Sequence, residues 1–224
     1  MARDLDATVA ELGDVLGLAV AYNDPGVATF GLRNAVLPVG NQFIEVVSPT
    51  REGTAGGRQL ERLGGDGGYM VICHTDEQPD VRSRAQELGV RIVLDHDDHG
   101  YRIMQLHPAD TGGSFLEIDF QPGGEDPGGP WTPAGDDWQR ARRTHRVDGI
   151  SGVTVQSRHP AATASRWRDI TGCDLDDNVL RFDNAVVQFV EGDPDVLTEV
   201  TLTATDRSLV GAAHTIGGTC FTLA

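Results

Sequence analysis

Two strand-like segments of the sequence each carry one glutamate at their centre. Glu45 lies in the segment Gln42–Pro49 and Glu117 in the segment Ser114–Pro122, and each segment follows a glycine turn. A carboxylate in the middle of an apolar strand avoids burial unless it is hydrogen-bonded, paired or bound to a metal. Two such strands indicate an internal duplication whose halves face a common site. There, Glu45 and Glu117 would bind a metal ion or transfer protons.

A histidine close to the second glutamate strand is a further candidate for chemistry. His107 ends the predicted strand Tyr101–His107 and precedes the turn that leads to Glu117. Because imidazole titrates near neutral pH, His107 could act as a general base or as a replacement metal ligand. The alternative is a strand-end histidine that hydrogen-bonds to a carbonyl of the turn, and the sequence does not decide between the two.

The residues around the glutamates predict the lining of a cavity. Side chains alternate between the two faces of a strand, so the face that carries each glutamate can be assigned. The lining residues expected from this alternation are Phe43, Met70, Ile72, His74 and Phe115. For His74, the alternative is a histidine whose hydrogen bonds are satisfied near the end of its strand.

Composition restricts the partners and the chemistry of the chain. The net charge of −16 and the pI of about 4.6 disfavour nucleic acids and anionic membranes as partners. All 18 basic residues are arginine, which excludes a lysine Schiff base and a Walker A loop. The three cysteines lack metal-type spacing, and no apolar run approaches the ~20 residues of a membrane span. A reduced, cytoplasmic protein is therefore expected.

The order of the predicted elements indicates repeated units. A helix with leucines at helical spacing opens the chain, and the strands Gly31–Val39 and Gln42–Val47 follow it. Residues 69–120 predict a complete strand–helix–strand–strand–strand (βαβββ) unit, and a looser copy begins near Ile150. The predicted domains are 1–122 with two βαβββ units, a Gly/Pro-rich linker at 123–146, and a reduced second domain at 147–224.

This pattern resembles the vicinal oxygen chelate superfamily, which includes glyoxalase I, methylmalonyl-CoA epimerase, extradiol dioxygenases and bleomycin-resistance proteins. The resemblance covers residues 2–122 well and 147–224 more loosely. It implies an α+β fold in which tandem βαβββ units form curled mixed sheets, or half-barrels. The first strand of the first unit is missing. We expect the natural protein to begin upstream of Met1; the alternatives are that another chain supplies the strand or that it is lost.

The resemblance also implies a divalent metal held by residues on the first and last strands of paired units. Glu45 and Glu117 match the two last-strand positions. The first-strand position of the second unit falls at Met70, whose thioether is a poor ligand for hard ions, and that of the first unit does not exist. We therefore expect an incomplete site without metal, with a bound divalent ion as the alternative. Residues 147–224 are expected to hold no catalytic metal.

Two functions follow from the resemblance. The first is a glyoxalase-type lyase or isomerase that acts through an enolate on a small oxygenated substrate, using Glu45, Glu117 and His107. The second is a non-catalytic binding or sequestration protein of the bleomycin-resistance type that uses the same cavity. Either function implies a small-molecule ligand and neither a nucleic-acid nor a membrane partner. The sequence leaves both a monomer and a homodimer open.

Overall fold

A computed structural model describes all 224 residues, and the chain divides into two compact units. Unit 1 consists of Met1–Gly68, Trp131–Ser151 and Glu199–Ala224. Unit 2 consists of Tyr69–Pro130 and Gly152–Thr198. No helix has both the length and the apolar character needed to cross a membrane.

The chain forms five α-helices and thirteen strands. The α-helices are α1 (Leu5–Leu16), α2 (Ala55–Leu63), α3 (Gln78–Glu87), α4 (Pro108–Thr111) and α5 (Pro160–Thr171). Short 3₁₀ helices span Pro25–Phe30, Thr132–Ala134, Trp138–Ala141 and Arg207–Leu209. The first six strands are β1 (Leu32–Val39), β2 (Gln42–Pro49), β3 (Met70–His74), β4 (Ile92–Asp98), β5 (Tyr101–Leu106) and β6 (Phe115–Phe120). The remaining strands are β7 (Val147–Ser157), β8 (Asp174–Asp176), β9 (Val179–Arg181), β10 (Val186–Glu191), β11 (Val196–Ala204), β12 (Ala213–Ile216) and β13 (Thr219–Leu223).

The hairpin β1–β2 and helix α1 form the first part of unit 1. The strands are antiparallel, and Val36 lies opposite Glu45. Gly40 makes the tight turn at a φ of +64°, a left-handed conformation that glycine adopts without steric cost. Helix α1 buries a leucine face, and the side chain of Asp4 caps its start by accepting a hydrogen bond from Ala7 N–H at 3.0 Å.

The other parts of unit 1 come from distant regions of the sequence. Strand β13 pairs in parallel with β11 and antiparallel with β12. The side-chain amide of Gln42 clamps the start of β7: its Nε2 donates to Ile150 O at 2.9 Å, and its Oε1 accepts from Ile150 N–H at 2.7 Å. This pair of hydrogen bonds imitates the pairing of two strands.

Unit 2 contains two βαβββ repeats, except that the first five residues of β7 belong to unit 1. In one, the sheet order is β3-β6-β5-β4, with α3 between β3 and β4 in the chain. In the other, the order is β7-β10-β9-β8, with α5 between β7 and β8. In both, the first strand is parallel to the last and the other pairs are antiparallel. The predicted α+β fold of βαβββ units is confirmed.

The core of unit 2 lies between these sheets and the helices. The fully buried members include Trp167, Phe189, Met104, Leu106, Leu116, Ile118, Ile170 and Leu180. The guanidinium of Arg84 on α3 donates to Ile170 O at 2.9 Å and to Thr171 O at 2.8 Å, so it satisfies carbonyls in the last turn of α5.

Two expectations about organisation differ from the structure. The boundaries 1–122, 123–146 and 147–224 do not coincide with the units, because hydrogen bonds such as those of Gln42 join segments that are far apart in sequence. The predicted linker is not a free connection, because residues 131–146 belong to unit 1 and Trp138 is buried there. The predicted linker is rich in glycine and proline, but its tryptophans Trp131 and Trp138 pack against Phe43.

Candidate functional site

Glu45 lies on a face of the β1–β2 hairpin in unit 1. Alternation along β2 puts Phe43 and Glu45 on the same face, and Val36 is directly across from Glu45 on β1. The Glu45 side chain is partly exposed. The hairpin therefore presents a carboxylate with an aromatic ring two residues away along the strand.

Asn34 fixes the orientation of this carboxylate. Its Nδ2 donates to Glu45 Oε1 at 2.6 Å, and its Oδ1 accepts from Asp24 N–H at 2.8 Å. Because a backbone N–H can only donate, the amide oxygen must face Asp24 and the NH₂ group must face Glu45. The backbone oxygen of Asn34 in turn accepts from Asn23 Nδ2 at 2.5 Å. Glu45 Oε2 makes no hydrogen bond in the structure.

The surroundings of Glu45 favour its protonated form relative to a carboxyl in water. Burial raises the pKa of Glu45, the hydrogen bond from Asn34 opposes this shift, and the Asp24 carboxylate adds to it. The amino group of Met1 acts in the lowering direction. A carboxylate with a raised pKa is a stronger base than one in water, which suits it to remove a proton from carbon.

A groove of about 410 Å³ adjoins this network. Its wall includes Asn23, Asp24 and Asn34 together with Leu5 and Leu32. Arg33 and Asp6 also line it and form an ion pair at 3.1 Å. The groove is therefore lined by both apolar and hydrogen-bonding side chains, and Asn34 connects it to Glu45.

Phe43, an expected cavity residue, is covered by the segment 131–141. Its ring stacks on Trp131 at a centroid distance of 6.3 Å and meets the edge of Trp138 at 5.0 Å. Ala134 and Trp138 pack with Val36 in the same cluster. The apolar side of the Glu45 face is thus filled by residues that the sequence assigned to a linker.

Glu117 lies on β6 of unit 2, where it is 5% exposed. Ile72 on β3 and Gln105 on β5 are its register neighbours. Asp119, two residues further on the same face, accepts a hydrogen bond from Tyr101 Oη at 2.6 Å. The sheet thus carries two buried carboxylates in succession.

The other expected cavity residues also lie in unit 2. Met70, Ile72 and His74 alternate with core residues along β3, and Ile72 is 40% exposed. The ring of Phe115 lies 4.9 Å from that of Tyr69. His74 Nε2 is 3.4 Å from Gln121 O, and its ring stacks with Phe120. This arrangement agrees with the alternative of a satisfied histidine.

The ring of His107 is held at the start of α4. Strand β5 ends at Leu106, and His107 instead caps α4 by accepting from Ala109 N–H at its Nδ1 (3.1 Å). The guanidinium of Arg91, which is bonded to Asp110, lies 3.3 Å from the same ring nitrogen. The sequence did not show this cap, which forms because Pro108 starts a helical turn directly after His107.

The structure places the two predicted glutamates in different units, Glu45 in unit 1 and Glu117 in unit 2. No three His, Cys, Asp or Glu side chains come together as a metal-binding group. Divalent ions are held by several such donors, and Glu45 has only the Asn34 amide in hydrogen-bonding contact. The residues around Glu45 therefore do not fit the metal that the resemblance implies.

Asn34 was missed in the sequence, although a signal for it exists. The turn at Gly40 fixes the register of the hairpin, so that Asn34 is a diagonal neighbour of Glu45 on the same face. Trp131 and Trp138 carry no comparable signal.

Comparisons with known proteins agree with this fold. The model of the family described as "Glyoxalase-like domain" matches residues 1–171. An ethylmalonyl-CoA/methylmalonyl-CoA epimerase from Cereibacter sphaeroides is 25% identical over 122 residues, which cover 52% of this chain and 89% of that protein.

One solved structure shares the fold over nearly the whole chain. A hypothetical protein from Staphylococcus aureus, 17% identical, covers 95% of this chain and 91% of its own with a TM-score of 0.67, which shows the shared fold alone. The Streptomyces coelicolor methylmalonyl-CoA epimerase is 26% identical, covers 54% of this chain and 91% of its own, and has a TM-score of 0.48. The resemblance to the vicinal oxygen chelate superfamily is confirmed, and the chain belongs to the glyoxalase-like domain family.

Proposed function

We propose that the Glu45 site of unit 1 catalyses an isomerase-type proton transfer on a small molecule whose acidic C–H bond lies next to a carbonyl. The observation that carries this proposal is the 2.6 Å hydrogen bond from Asn34 to Glu45 Oε1, which leaves Oε2 without a hydrogen bond. A carboxylate held by one oxygen and open at the other has the geometry of a general base.

The proposed reaction uses the open oxygen. Glu45 Oε2 takes the proton from the carbon, the C–H bond breaks, and its electron pair moves to the carbonyl oxygen to form an enolate. Glu45 then releases its proton to water, and water delivers a proton to the opposite face of the same carbon, which gives an epimer. The likeness to an ethylmalonyl-CoA/methylmalonyl-CoA epimerase supports this reaction class and makes an acyl-CoA the first substrate to test.

Hydrogen exchange measures the chemical step directly. We expect the protein to catalyse loss of the C2 proton signal of methylmalonyl-CoA in D₂O, followed by NMR. Glu45→Gln keeps the shape of the side chain but removes the base, so the rate should fall by about 10²–10⁴-fold. Glu11→Gln, an exposed change on α1, is the matched control and should leave the rate unchanged.

Equal exchange by the wild type and Glu45→Gln would contradict the role of Glu45. Non-catalytic binding is the second candidate function, and the aromatic cluster of Phe43, Trp131 and Trp138 favours it, because such rings also bind ligands without turnover. Calorimetric binding of methylmalonyl-CoA without any exchange above the protein-free rate would support that alternative.

A further inference from the structure

The space beside Glu45 is bounded by a small set of side chains. Val36 is the residue directly across the hairpin from Glu45, and directly opposed Cβ atoms in a sheet are about 4.5–5.5 Å apart. Phe43 is the next residue along β2 on the same face. Any substrate group that approaches Glu45 from the apolar side must therefore lie over Val36 and Phe43.

Trp138 occupies that position. It is only 2% exposed, packs with Val36, and meets the ring of Phe43 edge-on at 5.0 Å and 79°. Trp131 stacks on the same phenylalanine at an interplanar angle of 13°. The two indoles thus close the apolar side of the face that carries the base.

The segment that supplies these indoles lies outside the repeated βαβββ pattern. Two 3₁₀ helices, Thr132–Ala134 and Trp138–Ala141, hold it against β1. Ala134 is 1% exposed within the same cluster. The hairpin supplies Glu45, and this added segment supplies the apolar wall beside it. Substitutions in the segment can therefore change the wall without changing Glu45.

We propose that Trp138, supported by Trp131, is the specificity-determining residue of the Glu45 site and restricts the substituent on the reacting carbon to a small group. The inference rests on the proposed function and deepens it. A close-packed indole leaves no room for extra carbon atoms over Val36 and Phe43. Larger substituents are therefore excluded by steric contact.

The test compares two substrates that differ by one methylene group. Deuterium exchange at C2 is measured for methylmalonyl-CoA and ethylmalonyl-CoA with the wild type, Trp138→Ala and Trp138→Leu. We expect the wild type to prefer the methyl compound, and Trp138→Ala to shift the ratio of kcat/KM values about tenfold or more towards the ethyl compound. Trp138→Leu, which leaves a smaller cavity, should shift it less.

Arg142→Ala is the matched control, because Arg142 is exposed directly after the second 3₁₀ helix, and the ratio should not change. A ratio that is the same in folded Trp138→Ala, Trp138→Leu and wild-type protein overturns the proposal. If the wild type exchanges neither thioester, the proposed function fails, and the role of Trp138 is then tested by calorimetric binding of ethylmalonyl-CoA. A Kd that is tenfold tighter for Trp138→Ala than for the wild type supports the role of Trp138. An equal Kd for the two proteins overturns it.

A measurement without substrate tests the same space. Trp138→Ala should leave a cavity of indole shape beside Phe43, so free indole should raise the Tm of this variant and not that of the wild type. No effect of indole on folded Trp138→Ala would overturn the placement of Trp138.

Discussion

Replacing Gly40 with alanine is expected to destabilise unit 1 by more than about 3 kcal/mol. A side chain at φ +64° costs about 1–2 kcal/mol by itself. A Cβ atom at this position would also collide with Asp148 O and lie 2.8 Å from Asp148 C. Both partners are backbone, so the clash can be relieved only by moving the hairpin away from the start of β7, which breaks the hydrogen bonds between Gln42 and Ile150.

Gly53→Ala measures the cost of a side chain in the left-handed conformation without the clash against Asp148. Gly53 has a similar φ of +71°, but a Cβ atom there meets nothing within 4 Å. This variant should lose only about 1–2 kcal/mol. Guanidinium denaturation followed by circular dichroism gives the two free energies of unfolding, and amide exchange in β1 and β2 locates the damage. Equal losses in the two variants would show that the close approach to Asp148 does not exist.

Trp167→Ala should cost unit 2 about 3–5 kcal/mol of stability. Trp167 is completely buried on α5, and its ring meets that of Phe189 edge-on at 5.2 Å. Its indole N–H also donates to Gly112 O at 3.4 Å. Truncation would therefore leave a large cavity in the core and remove the hydrogen bond to a carbonyl.

Trp167→Phe is the graded control, because it keeps an aromatic ring in the core but removes the N–H donor. We expect its loss of stability to lie between that of the wild type and that of Trp167→Ala. Thermal unfolding and denaturant midpoints measure both. A Trp167→Ala variant as stable as the wild type would contradict the tight packing of this core.

The repeated βαβββ order could be predicted because it depends on neighbours in sequence. In residues 69–120, apolar alternation marks the strands, and Gly89 and the Gly112–Gly113 pair lie where helices and turns end. The composition of the two compact units could not be predicted in the same way. The parallel pairing of β11 with β13 and the bonds between Gln42 and Ile150 leave no periodic pattern in the sequence.

Some residues of the candidate site could be predicted from the sequence, and others could not. Glu45 could be found as a carboxylate in an apolar strand, and the hairpin register would also have given Asn34. Trp138 could not be found, because its segment has the composition of a flexible linker and acquires structure only by packing on Phe43 and Val36. The role of His107 was not predicted, because its ring caps the helical turn that begins at Pro108 and this turn has no periodic pattern.

The discontinuous composition of unit 1 has a consequence for the order of events during synthesis. All strands of unit 2 lie between residues 69 and 198, whereas unit 1 also needs β12 and β13 at residues 213–223. As the ribosome extends the chain, the segments of unit 2 all emerge before those of unit 1 are complete. Helix α1 packs on β12 and on the turn at Gly217, so it must wait for partners that are made last. An incomplete nascent chain would therefore expose this side of the first helix, where chaperones or aggregation would act first.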